Sequence, residues 1–274
     1  MSTKRITLFL FLALSLVIMP VYSCKPIVQP DVLKVTTSQI QFTAQLWLNA
    51  LDRDLSAIAT QPSGTGLSGT KVTDRFGELT HKYPFVIDYV TTDADGKMVV
   101  VVPEAYVDYE GTDISQQPVT VILKDTEKPL LSGMFTSVEG VDAVVIMWPV
   151  LSEKGEFLGS VSALFKPEDL FAGISRQGLE GTGIAINVMQ LDGLNIYDSE
   201  GKDTGKNLFT DPEFQEYPEL IEIGHKMVDD ASGSGKYIYI DNTTGKTVKK
   251  QVFWETVSLH GTDWRVAGVS RAVE

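Results

Sequence analysis

Residues 31–60 read DVLKVTTSQI QFTAQLWLNA LDRDLSAIAT. Ile40, Ala44, Trp47, Leu48, Leu51, Leu55 and Ile58 recur at helical spacing and make one continuous apolar stripe. No proline or glycine interrupts the stretch before Pro62. A helix of about 30 residues is about 45 Å long, longer than one small domain is wide. The expectation is a rod that spans two bodies or packs against a partner helix.

C-terminal to the rod, Gln61 to Thr70 (QPSGTGLSGT) is a loop by composition. Strands then dominate. Phe85 to Thr91 and Lys97 to Val102 form a hairpin around Asp93-Ala94-Asp95-Gly96. Asp113 to Lys124 reads as a short helix and loop. Leu131 to Ser137, Asp142 to Val150 and Phe157 to Phe165 read as three more strands. Pro167-Glu168-Asp169 opens another helix, with proline in the first turn and acids at the positive dipole end.

The order then recurs. Gly183 to Met189 and Leu194 to Asp198 are two strands, Asp211 to Asp229 is helical, and three strands follow at Lys236–Asp241, Gln251–Leu259 and Trp264–Ser270. The expected class is α+β: a long N-terminal helix, then two modules at 61–177 and 178–274, each with a mainly antiparallel five-stranded sheet.

N-terminal to the rod, Lys4 and Arg5 precede an uncharged run, Ile6 to Met19. About 14 residues rise only about 21 Å as a helix, short of a hydrocarbon core of roughly 30 Å. The pattern is that of a signal peptide over residues 1–23. Val21-Tyr22-Ser23-Cys24 resembles a prokaryotic lipobox, which makes Cys24 the expected lipidation site and 24–30 a tether. Two acyl chains anchor stably. An ordinary cleaved signal and an uncleaved anchor are the alternatives. The location expected is extracytoplasmic, on the cell membrane as a lipoprotein.

Composition narrows the function. The 274 residues are 43% hydrophobic and 22% charged, ordinary globular usage, with a net charge of -13. No basic surplus exists to meet phosphates, so nucleic acid is not an expected partner. Cys24 is the only cysteine, so no intrachain disulfide can form. His81, His225 and His260 lie far apart in sequence, so neither metal nor cofactor is expected. Asp198, Glu200 and Asp203 lack the twelve-residue calcium-loop pattern and read as a solvated turn. No Gly-x-Ser-x-Gly elbow is present. The expectation is a protein that is not an enzyme. Asn242-Thr243-Thr244 is a glycosylation sequon on an expected turn.

Together the motifs resemble the double Cache family of PAS-like extracytoplasmic sensor domains. They are the long helix; Asp93 to Gly96 with Val99 to Pro103 and Gly111 to Ser115; Met147 to Val150 with Gly155 to Gly159 and Asp169 to Phe171; Ile196 to Asp198 with Gly205 to Phe209; and His260 to Val266. The resemblance covers residues 31–272. It implies a small molecule held in the membrane-distal module. In amino-acid-binding members an arginine and two aromatics hold the ligand carboxylate, and a later strand supplies an aspartate for the amine. The matching positions here are Gln117, Val119 and Thr120, and Leu164. With the charged clamp missing, an α-amino acid would be left with poorly paired charges, which cost several kcal/mol when buried. A neutral or weakly polar ligand, or none, therefore suits this sequence better.

Tyr109, Phe135 and Trp148 are the expected aromatic lining of that pocket, with Gln117 and Thr120 as its hydrogen-bonding groups, although core packing alone also suits the aromatics. The chain ends at Glu274 without a further helix, so the expected partner is a separate membrane receptor or kinase. A solute-binding protein for a transporter and an envelope hydrolase remain as other readings.

Overall fold

The computed structural model describes residues 27–61, 67–176, 178–241 and 245–273. The signal segment, Cys24 to Pro26 of the tether and the sequon lie outside the described residues.

Helix α1 (Pro30–Ala59) starts on a proline at its first position and buries Leu33, Thr37, Ile40, Ala44, Leu48, Leu51, Leu55 and Ile58 on one side. The stripe faces two sheets in turn. Its N-terminal half lies on the second module, where Gln41 Nε2 donates to Thr256 O at 2.6 Å and Gln45 Nε2 to Ser258 O at 2.9 Å. A Cβ at Gly268 would run into Thr37 there, so glycine sets this close approach. Its C-terminal half covers the first sheet.

A second helix, α2 (Thr70–Lys82), was not anticipated in the sequence. It buries Val72, Phe76 and Leu79, and its Gly77 and missing N-cap bond explain why the local signal is weak. Asp54 of α1 clamps its C-terminal end. That carboxylate accepts from Lys82 Nζ and from Tyr83 Oη, each at 2.7 Å.

The first module contains β1 (Val86–Asp93), β2 (Met98–Val102), α3 (Pro118–Thr126), β3 (Leu130–Leu131), β4 (Phe135–Thr136), β5 (Asp142–Leu151) and β6 (Phe157–Phe165). Its sheet runs β2-β1-β6-β5-β3, with β4 pairing to β5, and every pairing is antiparallel. The expected strand over Leu131 to Ser137 is two short pieces. Gly133 and Met134 leave the ladder between them, and Met134 N donates to Gln190 Oε1 instead.

Helix α4 (Pro167–Ser175) leads to the second module: β7 (Ala185–Gln190), β8 (Asn195–Asp198), α5 (Pro218–Asp229), β9 (Gly233–Asp241), β10 (Lys246–Leu259) and β11 (Thr262–Arg271). The sheet order is β8-β7-β11-β10-β9, again antiparallel. The fold is thus α+β with a rod and two sheets. The first sheet gains β4 as a sixth strand.

Both faces of the first sheet are covered. Alternate residues of β1, β5 and β6 point in opposite directions. Tyr89, Val144, Ile146, Val161 and Phe165 join the core beneath the helices, while Val145, Met147 and Leu164 join a separate cluster with Val119 and Leu123 of α3.

Candidate functional site

The face of the first sheet beneath α3 encloses a cavity of about 30 Å³, room for a water molecule. Its floor includes Asp88 and Val90 of β1, Met147 of β5 and Leu164 of β6. Ile114, Gln117 and Val119 form one wall, and Phe135 to Glu139 another.

Asp88 is 1% exposed, and its Oδ2 has no hydrogen-bond partner. Ser137 Oγ, in the same cavity wall, is also buried and unpaired. Buried polar groups are nearly always satisfied, so two orphans around one cavity are a functional signal. Burial, and then the nearby charge of Glu139, push the Asp88 carboxyl up to about 8. Asp88 and Glu139 are the titratable lining residues; the lining contains no lysine, arginine or histidine. The site therefore offers two carboxyl groups and further acceptors with no basic side chain to meet them.

A wider cleft of about 200 Å³ lies on the other side of the same wall. Ser115, Gln116, Thr120 and Val121 face it, whereas Ile114, Gln117 and Val119 face the inner cavity. The short strap from Ile114 to the start of α3 separates the two spaces.

Of the residues expected to line a ligand pocket, Gln117 and Phe135 border this cavity. Thr120 lines the outer cleft. Tyr109, at the end of a 3₁₀ turn (Glu104–Tyr109), stands one layer behind, packed on the cluster of Val90, Met98 and Ile114. Trp148 is on the opposite face. Because Val145 and Met147 point into the cavity side, period-two alternation turns Trp148 toward α1. Its Nε1 donates to Asp52 Oδ1 at 2.7 Å, and the same oxygen lies 2.6 Å from His260 Nε2 at the β10–β11 turn. The Trp148 ring meets His260 edge-on at 5.6 Å. Trp148 is thus a junction between rod, first sheet and second module.

Sequence reading did not single out Asp88. The available signal is a lone acid inside an apolar strand, Phe85-Val86-Ile87-Asp88-Tyr89-Val90. The acidic turn at 198–203 satisfies itself: Asp198 accepts from the backbone N–H groups of Glu200, Lys202 and Asp203. Among the described residues no three His, Cys, Asp or Glu side chains converge as metal ligands, and no helix is long and apolar enough to cross a membrane.

Residues 46–167 match the family model described as the HK/GC/chemotaxis protein-like sensor domain. Those residues match a sensor-domain model, and the fold is that of a double Cache-like, PAS-like domain. An extracellular ligand binding receptor from Desulfohalobium retbaense is 32% identical, with a TM-score of 0.74 over 89% of this chain. The chain spans 41% of that receptor's length. Two further structures share the fold at 14% identity and a TM-score of 0.62 each. One is the ligand binding domain of the Pseudomonas aeruginosa amino acid chemoreceptor PctB in complex with L-Gln, covering 89% of this chain and 91% of that one. The other is the periplasmic sensory domain of the Campylobacter jejuni chemoreceptor Tlp1, covering 88% and 94%. No curated protein matches the chain. These relatives are named as receptors and sensory domains, and residues 46–167 of this chain match a sensor-domain model.

Proposed function

We propose that the first module binds a small molecule carrying a protonated amine and no carboxylate, with Asp88 as its anchor. The observation that carries this reading is the buried, unpartnered Asp88 carboxyl in a cavity lined by no cation. An ammonium group supplies the missing charge and donors, and Ser137 and Gln117 offer further hydrogen bonds. This replaces the neutral ligand expected from the sequence. The absence of the carboxylate clamp still argues against α-amino acids.

The cavity is smaller than any such ligand. Entry therefore requires the strap from Ile114 to Gln117 to swing outward, merging cavity and cleft. That motion shifts α3 and the Phe135–Glu139 wall relative to α1, two populations that a ligand can bias. In this reading the domain has no catalytic role. It is held at the membrane by lipidated Cys24, and a separate membrane receptor or kinase reads its state. The chemistry of Val21–Cys24 supports the anchor.

The test is a thermal-shift screen of the purified full chain against monoamines, polyamines, α-amino acids, organic acids and sugars. A ligand at about a hundred times its Kd stabilises by about 2.7 kcal/mol, a rise of roughly 5–10 °C for a domain of this size. Amines alone are expected to give it. Stabilisation by organic acids or sugars, with amines inert, would overturn the reading.

A further inference from the structure

The hairpin of β9 and β10 reaches beyond the start of α1. Helix and strand run the same way: Gln251 Nε2 donates to Val28 O at 2.8 Å, Lys34 lies over the Phe253 ring, and Gln45 Nε2 donates to Ser258 O. Followed backward past Gln251, β10 therefore leaves the helix behind and ends at Lys246, paired with Asp241 of β9, on the side away from the first module. Lys236 pairs with Gln251, Ile238 with Lys249 and Ile240 with Thr247, so these six share one face. Gln251 is buried where the chain before α1 packs. The other five are exposed, Ile238 by 47% and Ile240 by 43%.

We propose that this face rests on an anionic lipid surface, with the lysines at the headgroup phosphates and the isoleucines entering the interface between them. Charge selects that occupant. The chain carries a net charge of -13, so an anionic bilayer repels it as a whole. Between Asp230 and Glu255, however, Lys236, Lys246, Lys249 and Lys250 stand against Asp241 alone. Lysines beside exposed aliphatic side chains suit the boundary of headgroups and acyl chains, where each finds its own medium. The edge of β9 is not the contact. There the Ile238 N–H already donates to Glu219 Oε2 at 2.8 Å, which leaves the face.

Chain length selects it as well. The apolar run Ile6 to Met19 and then Cys24 precede Val28. From Cys24 to Val28 the chain reaches at most about 14 Å. From Gln251 to Lys246, β10 projects about 17 Å. A membrane-held Cys24 therefore keeps the hairpin within reach of the headgroups. This second contact rests on the membrane attachment proposed above, and it fixes how the domain stands on the bilayer.

The full chain reconstituted in vesicles of phosphatidylcholine, with or without phosphatidylglycerol, tests this. A fluorophore on Thr247→Cys should be quenched by headgroup-nitroxide lipid several-fold more in the anionic vesicles than in the neutral ones. High salt should erase the difference. The same label on Glu153→Cys, exposed on the β5–β6 hairpin, should not respond, and the labelled parent chain reports the contribution of Cys24. Each lysine near an anionic surface is worth about fivefold in binding, so adding Lys236→Glu and Lys249→Glu should weaken docking by about 25-fold or more. Both lysines are exposed, so the melting temperature should stay that of the parent. Equal quenching in the two vesicle types, or undiminished quenching in the charge-reversed variant, would overturn the proposal. Flotation reads attachment separately. A chain that floats with both vesicle types while Thr247→Cys goes unquenched overturns docking alone, whereas one that floats with neither overturns the attachment too.

Discussion

Asp88 lies directly opposite Leu164 across the antiparallel β1–β6 pairing. Residues paired in this way project from the same face of the sheet. Leu164 occupies the position where the double Cache resemblance places the aspartate that meets a ligand amine. The carboxylate is not lost from this pocket; it enters from the neighbouring strand.

Ligand binding should depend on pH with a definite sign. The empty pocket holds Asp88 protonated below about 8, whereas an ammonium ligand pairs with the ionised form. Binding then releases a proton. Affinity for an amine should rise about tenfold per pH unit from pH 6 toward 8 and level off above. Calorimetry at stepped pH, in buffers of different ionisation enthalpy, measures both the slope and the released proton. A flat profile would remove Asp88 from the ligand contact.

Asp88→Asn separates stability from binding. A carboxyl raised in the folded state adds no penalty below its unfolded value of 3.8, and an increasing one as pH climbs toward about 8. At about 1.4 kcal/mol per unit, the parent loses on the order of 5 kcal/mol across that window when empty. The variant should melt higher than the parent at pH 8 and alongside it near pH 3. It should also show no stabilisation by amines. Melting curves at both pH values are the check.

Trp148→Phe should spare the ligand and weaken the frame. The substitution removes the indole N–H that reaches Asp52 and keeps most of the ring. Loss of one hydrogen bond is worth about 1 kcal/mol, or roughly 2–4 °C in a domain of this size. Amine affinity should stay within about twofold of the parent. A much larger affinity loss would put Trp148 in the pocket after all.

Acid should loosen α2 first. Burial opposes ionisation of Asp54, yet hydrogen bonds from Lys82 and Tyr83 hold its carboxyl below the usual range. The stability it contributes is present above about pH 4 and disappears as pH falls through the folded value. Tyr83 titrates correspondingly high, at about 12, through burial and the Asp54 charge. Asp54→Ala leaves the buried Tyr83 hydroxyl unpaired and should cost about 2–3 kcal/mol at pH 7. Hydrogen exchange should show that loss at Thr70–Lys82 before the sheets.

Much of the frame was legible because its signals are local. The α1 stripe, Pro167 at a helix start, and Gly96, Gly155 and Gly193 at turns, each with positive φ, all act within a few residues. Helix α2 escaped because its stability comes from Phe76 stacking on Tyr89 and from the Asp54 clamp, contacts distant in sequence. The site was half legible. Gln117 and Phe135 sit beside the cavity, but Trp148, expected among the lining aromatics, is turned away by the alternation that points Val145 and Met147 inward.

By itself, the sequence determined the rod, the two repeated element orders and the antiparallel sheets, because periodicity and turn chemistry are written in neighbouring residues. Tertiary structure decided which strands lie beside one another, and hence that Asp88 occupies the floor facing α3 while Trp148 bridges to Asp52 and His260. The physical reason is desolvation. Whether a carboxylate is an ordinary surface charge or an unpaired group awaiting a partner depends on what covers it, and for Asp88 that cover comes from Val119 and Phe135, tens of residues further along the chain.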